Sequence, residues 1–339
     1  MRIRKWISIA LILALVATGG ILWERWLPAA ANFTLRRQVA PSWRRLGVFL
    51  LKNTDPVMKN ISRYLAIEQE EAPDELFLYF TEQEEPLVDD PAIQAANLSA
   101  LSGTYTQVDG TAVANATDFD ISDLLDDTVK PPSFTEGKPA ILIYHTHTTE
   151  CYRNGDGITN TADESKNVVA VGEAMKKEFE AAGYETIHIK EVFNTDFSNA
   201  YPIARAAINE VLAQNPTVQV VLDVHRDSIS SGGVDYYPVT EVDGKQAAQI
   251  MFVCGTDAKG LDHPGWRKNF TYALELSRRM GTLYGQLSRP VNLRADRFNT
   301  HFTDYTLLVE VGSSANTLEQ AVYGGQLTAR AMIDLWKNP

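Results

Sequence analysis

The sequence predicts an α/β fold: a doubly wound, largely parallel sheet with helices on both faces, preceded by an N-terminal transmembrane helix and a linker. Three observations carry that expectation. Between residues 140 and 336, short apolar runs rich in β-branched residues alternate with longer amphipathic stretches, which is the pattern of βαβ units. The runs ILIY, VQVVL and YTLLV are nearly uninterrupted by polar residues, as expected of strands buried on both faces. Trp6 to Trp23 reads WISIALILALVATGGILW, without a charge, and is long enough to cross a bilayer as a helix.

Residues 1–5 form a short basic N-terminus, with Arg2, Arg4 and Lys5 before the apolar span. Residues 6–23 read as a transmembrane signal anchor, with Trp6 and Trp23 where interfacial aromatics belong. Ala29-Ala30-Ala31 is a weak cleavage site, so an uncleaved anchor is preferred to a secretory signal. Arg25, Arg36, Arg37, Arg44, Arg45 and Lys52 follow the span, so loop charge alone does not favour an exported domain. Residues 24–83 carry short helical patterns such as LGVFLLKNTDPVMKNISRYL (Leu46 to Leu65) and read as a juxtamembrane stalk; a docking surface for another membrane protein is the sharper alternative. Residues 84–136 turn acidic and rich in Ser, Thr, Gly and Pro. Such a composition buries too little apolar surface to order itself and reads as a flexible linker.

The domain boundary is expected near Gly137, with residues 137–339 as the catalytic domain. Its elements are a strand at Ala140 to Tyr144, a helix at Asn167 to Tyr184, a strand at Glu185 to Val192 and a helix at Ala200 to Asn215, stopped by Pro216. Strands follow at Val218 to Asp227 and Gln249 to Gly255, with YYPVT (Tyr236 to Thr240) as a hairpin excursion between them. A helix at Pro264 to Leu287, a strand at Tyr305 to Gly312 and a helix at Thr317 to Trp336 close the chain.

The chain has 339 residues, 45 % of them hydrophobic, and a formal net charge of −12. That charge argues against nucleic acid as a partner. Cys151 and Cys254 are too few for a disulfide framework and read as free thiols.

Chemistry gathers at three strand ends. The first strand runs into His145, His147 and Glu150, the third ends in Asp223, His225, Arg226 and Asp227, and the last carries Glu310. Parallel strands place these residues at one edge, where open α/β sheets keep their ligands. Two histidines and a glutamate form a ligand set for catalytic zinc. A further carboxylate, for which Glu310 is placed, would move the proton of an attacking water. The residues alone thus support metal-assisted hydrolysis of an amide or similar bond. The plainer readings stand beside it. A histidine at a strand end is more often a structural hydrogen-bonder, and no HExxH spacing is present. Asp223, Arg226 and Asp227 can simply orient His225. Cys151 is a nucleophile candidate by adjacency only, and Cys254 reads as a small buried hydrophobe. His188 looks structural. His263 and His301 lie on loops, and Asn269, Asn299 and Asn316 suit capping.

HTHTTE, DVHRD, the helix around WRKNFTYAL, and LLVEVGSSANTLEQA, in this order and spacing, resemble the stage II sporulation protein P family over residues 137 to 339. That family is similar to zinc-dependent N-acetylmuramoyl-L-alanine amidases. The resemblance implies Zn2+ as cofactor and peptidoglycan as substrate. It further implies hydrolysis of the amide between N-acetylmuramic acid and L-alanine during engulfment, with an endopeptidase activity on cross-links also attributed to the family. It implies a single-pass membrane protein whose catalytic domain is extracytoplasmic, in the intermembrane space of the engulfing cell, and partners in the stage II sporulation proteins D and M. Residue by residue, the first metal ligand falls on His147, with His145 beside it, and the second on Glu150, with Asp163 and Glu164 as rivals. The third falls on His225, and the catalytic carboxylate on Glu310. His145 or Arg226 is then expected to assist the oxyanion. Cys151 stands where the family commonly has Ser. A non-catalytic wall-binding scaffold that recruits other hydrolases is the alternative function.

Overall fold

The computed structural model describes residues 93–98, 105–122, 124–125, 130–153 and 157–339. The expected anchor at residues 6–23, the stalk at 24–83 and much of the expected linker lie outside them. Among the described residues no helix is long and apolar enough to cross a membrane.

The strands are β1 (Ile93–Ala96), β2 (Thr106–Val108), β3 (Thr111–Ala116), β4 (Ile141–Tyr144), β5 (Thr186–His188), β6 (Val220–Asp227), β7 (Ser230–Ser231), β8 (Val234–Val242), β9 (Lys245–Ala248), β10 (Ile250–Gly255), β11 (Val291–Arg294) and β12 (Tyr305–Ser313). The helices are α1 (Val168–Ala181), α2 (Ala200–Gln214), α3 (Trp266–Tyr284) and α4 (Leu318–Lys337). Eight strands form the main sheet in the order β2-β3-β11-β10-β12-β6-β4-β5. The mixed α/β architecture and the predicted helices are present. The sheet itself is mixed: β12, β6, β4 and β5 run one way, whereas β10 pairs antiparallel with β12, and β11 and β3 follow β10. The reason lies between β6 and β10. The predicted excursion is the β8–β9 hairpin, which belongs to a second, four-stranded sheet with β1 and β7. It returns the chain to the edge where β6 ended, so β10 starts there and runs back.

Side-chain alternation divides the sheet. Ile141, Ile143, Val220, Leu222, Val224, Leu307 and Val309 face the principal core with α1, α3 and α4. Leu142, Tyr144 and Val221 face α2 through Ala204 and Ile208. Burial on both faces is why these strands are apolar throughout, and truncating one such side chain to Ala costs about 2–5 kcal/mol. Local signals set the helix starts. Asn167 accepts from the Val169 N–H at 2.9 Å, and Thr317 with Gln320 forms a reciprocal capping box.

Residues 84–136 are not uniformly a linker. They supply β1, β2 and β3, and β3 pairs with β11. Val108, Val113 and Ile121 are buried in the principal core. The acidic composition masked this because an edge hairpin needs few apolar residues, each on one face only.

Candidate active site

Asp223, His225 and Asp227 alternate with the core-facing residues of β6 and so stand on the α2 side of the sheet. Glu310 is the register partner of His225 on β12. The ends of β4, β6 and β12 therefore bring three of the expected groups together: Glu150, His225 and Glu310, with His147 beside them.

His225 lies between two carboxylates. Its Nδ1 is 3.3 Å from Glu150 Oε2, and its Nε2 is 2.9 Å from Asp223 Oδ1, out of line for a hydrogen bond. Burial disfavours the imidazolium, but Asp223 and Glu150 outweigh it and hold the His225 pKa well above its usual range. Asp223 is itself fixed by the Thr146 N–H at 2.8 Å and hydroxyl at 2.6 Å. For Glu150, burial opposes ionisation, yet the Arg226 guanidinium and His225 prevail and hold it at about 2. The Arg226 N–H also donates to Glu150 Oε2 at 3.2 Å. Asp163 and Glu164, the rival carboxylates, are exposed and pair with Lys166 and Lys190.

The two histidines after β4 part company. The strand ends at Tyr144 and the chain turns, so the alternation that would put them on one side is lost. His147 stacks on Phe197 at 4.3 Å between ring centroids and meets Tyr201 and His225 edge-on. Burial pushes its pKa down to about 4, and its Nδ1 is buried with no hydrogen-bond partner among the described residues. His145 instead turns under α1. Its Nδ1 lies 2.7 Å from the Val224 carbonyl and its Nε2 2.9 Å from His188 Nε2. It is fully buried, and a Cβ on Gly172 would sit 2.9 Å from its ring. The expected oxyanion role for His145 has no free ring nitrogen to act through. Arg226 is engaged likewise: Nε donates to the Cys151 carbonyl at 3.2 Å and Nη2 to the Thr159 carbonyl at 2.7 Å. It ties Cys151 to Thr159 and, through its backbone N–H to Glu150, fixes Glu150 to β6.

Glu310 Oε2 is buried and has no partner among the described residues. Burial, reinforced by Asp227 and Glu150 and opposed by His225, raises its pKa to about 8. That is the condition for a group that takes and returns a proton near neutrality. Asp227 is held by Arg289 at 2.8 Å. Cys151 donates to the Ile158 carbonyl at 3.3 Å, and burial raises its thiol, the reverse of an activated nucleophile.

Sequence reasoning missed the aromatic wall of Phe197, Tyr201 and Phe298. Tyr201 packs on Phe298 at 5.6 Å, and Phe298 holds a positive φ of 49°, a strained conformation for a bulky residue. No local pattern announces these residues, because tertiary packing alone brings them to His147. His263 contacts Thr300 and His301 rather than the site.

Zinc, implied by the resemblance, can be tested against these residues. Among the described residues no three His, Cys, Asp or Glu converge as a ready metal cluster. The donor chemistry nevertheless fits: the buried His147 Nδ1, unpartnered among the described residues, and the Glu150 carboxylate beside His225 Nδ1.

The sequence model of the family described as Stage II sporulation protein P matches residues 53–333. Stage II sporulation protein P of Bacillus subtilis (strain 168) is 29 % identical over 225 residues, covering 61 % of this chain; the chain spans 53 % of the length of that relative. Among solved structures, the CwlD amidase from Clostridioides difficile, in complex with the GerS lipoprotein, is similar at a TM-score of 0.38 and 11 % identity, over 58 % of this chain and 96 % of that one. The N-acetylmuramoyl-L-alanine amidase AmiC2 of Nostoc punctiforme is similar at a TM-score of 0.37 and 11 % identity, over 60 % and 97 %. With most of its length matched by the family model, the chain belongs to the stage II sporulation protein P family.

Proposed function

We propose that the chain is a membrane-anchored peptidoglycan hydrolase of sporulation, a zinc-dependent N-acetylmuramoyl-L-alanine amidase. The observation that carries the reading is Glu310, a half-buried residue with one buried carboxyl oxygen unpartnered among the described residues and a pKa raised to about 8, directly across from His225. Such a group is costly to keep and suits one task, moving a proton beside a reacting bond.

His147, Glu150 and His225 would hold the metal. Bound zinc supplies a polarised carbonyl and a water acidic enough to attack near neutral pH. In its ionised form, the minor one at neutral pH with a pKa of about 8, Glu310 would accept the proton of the attacking water and return it to the departing L-alanine nitrogen. Asp223 fixes the His225 ring, and Arg226 fixes Glu150 through its backbone N–H. Phe197 and Tyr201 shield His147 from water. The apolar span at residues 6–23 supports the anchor, and a wall substrate supports an extracytoplasmic catalytic domain. The family supports action alongside the stage II sporulation proteins D and M.

The test is product analysis of purified wall treated with the full chain. New amino termini on L-alanine, abolished by a chelator and restored by zinc, are the expected result. Cosedimentation with wall sacculi without any cleavage would replace this reading with a wall-binding scaffold.

A further inference from the structure

We infer that Phe197 is a plate on which a sugar ring of the substrate stacks, beside His147; naming that ring as the muramoyl sugar rests on the amidase reading. The Phe197 and His147 rings lie 4.3 Å apart between centroids, with their planes 10° apart. One face of the phenyl ring is therefore taken by the imidazole. The residue is nonetheless 56 % exposed, so its opposite face is turned to solvent.

That exposure is held in place. Phe197 opens the single 3-10 turn Phe197–Asn199, capped by Asp196. The Asp196 carboxylate accepts from the Ser198 N–H at 3.1 Å and from the Asn199 side chain at 2.6 Å. Phe193 and Ala200, on either side, are fully buried and anchor the segment. The segment is also tied to the turn that carries His147. The Thr149 N–H donates to Asn194 Oδ1 at 3.3 Å, and Asn194 Nδ2 donates to the Thr149 hydroxyl at 2.7 Å. That hydroxyl donates in turn to Asn160 Oδ1 at 3.3 Å, so residues 158–160 meet the same turn. Val192 and Ile158, on these two tied segments, are exposed as well. A lone exposed hydrophobic side chain needs no explanation. One whose flanks are pinned, and whose other face lies on a candidate metal ligand, is a surface kept apolar beside the site.

The chemistry of the plate selects its ligand. An aromatic face is negative and takes positively polarised groups. The C–H groups on one face of a pyranose ring are such a surface, and the hydroxyls around its rim stay in water. The stem peptide of a wall substrate carries short or charged side chains and has nothing flat to lay there. Muramic acid joins its ring to the scissile amide through a short lactyl ether. A sugar seated on Phe197 therefore leaves that amide in the neighbourhood of His147.

The experiment compares two substrates on the full chain with zinc: muramoyl-L-alanyl-D-isoglutamine, and the same dipeptide acylated by lactate alone. Phe197→Ala should raise KM about tenfold more for the first than for the second, Phe197→Tyr should restore the difference, and all three chains should hold equal zinc. An equal change for both substrates, or none for either, overturns the plate. Loss of zinc in Phe197→Ala would make the residue a prop for His147 and overturns it too. Binding of free N-acetylmuramic acid is read separately, by saturation transfer in NMR from the aromatic protons of the chain. Transfer to the sugar ring protons, lost in Phe197→Ala and kept in Phe197→Tyr, is expected. If no bond is cut and that pattern holds, the plate stands while the amidase reading fails. No transfer with the unaltered chain, or transfer that survives in Phe197→Ala, overturns the plate.

Discussion

Glu310 faces His225 across the parallel pairing of β12 with β6, and both pKa values are raised, for opposite reasons. Without metal, Asp223 and Glu150 favour the charged form of His225 over the burial that opposes it, whereas burial and the carboxylates around it favour the neutral form of Glu310. The pair thus concentrates the site's tension on Glu310.

Glu310→Gln should therefore separate activity from stability. Loss of a proton-transfer group lowers kcat by about 100-fold or more. The folded pKa of about 8 lies above the ordinary value of 4.5, so between these limits the folded chain keeps a proton that the unfolded chain releases. Stability then falls as pH rises through that window. Discounting for partial exposure, the glutamine should be more stable by about 2 kcal/mol at pH 7. Denaturant midpoints of the two chains at pH 5 and 8 check this. A gap that does not widen with pH would show that Glu310 is ordinarily ionised.

Metal content tests the donor set without reference to turnover. The full chain should carry about one equivalent of zinc, and His147→Ala or His225→Ala should lose it. His145→Gln and Asp163→Asn should retain it, because His145 turns under α1 and Asp163 pairs at the surface. Loss of zinc in His145→Gln with retention in His147→Ala would reverse the assignment.

How far the sequence reaches is visible in these same residues. Strand ends gathered Glu150, His225 and Glu310 because buried apolar runs force any polar residue to the edge. His145 and His147 could not be told apart, because parity holds only within a strand and the chain turns after Tyr144. Asp163 and Glu164 could not be set aside until tertiary contacts placed Glu150 against β6. The four-residue β11 went unseen, as did the antiparallel entry of β10. Short strands carry little periodicity, and direction depends on where an excursion returns the chain. Arg289 and Phe298 lie in loops whose local composition says nothing of their neighbours.

The buried His145–His188 pair gives a pH prediction of the opposite sign to that of Glu310. Burial, reinforced by His188, lowers the His145 pKa to about 3, below the ordinary 6.5. Above 6.5 both folded and unfolded chains are neutral there. As pH falls from about 6.5 toward 3, the unfolded chain gains a proton that the folded chain refuses, so stability is lost. For His145 alone the loss by pH 5, relative to pH 8, is about 2 kcal/mol. His145→Gln should flatten the fall in urea midpoint between pH 8 and 5 by about that amount. An unchanged slope would mean that the imidazole titrates normally.

The edge of the sheet supplies the last prediction. β3 lies against β11 over Val291 to Arg294, and Val108, Val113 and Ile121 are at most 2 % exposed. A chain beginning at Gly137 loses all three. Each buried aliphatic side chain contributes about 1.5–3 kcal/mol, so the truncation removes on the order of 5 kcal/mol, comparable with the whole stability of many domains. It also bares β11 as an unpaired edge, a template for aggregation. A chain beginning at Ile93 keeps β1, β2 and β3. Thermal unfolding and light scattering of the two chains should show the shorter one melting at least about 10 °C lower and aggregating. Equal melting temperatures would mean that the hairpin leans on the sheet without holding it, and would return the boundary to Gly137.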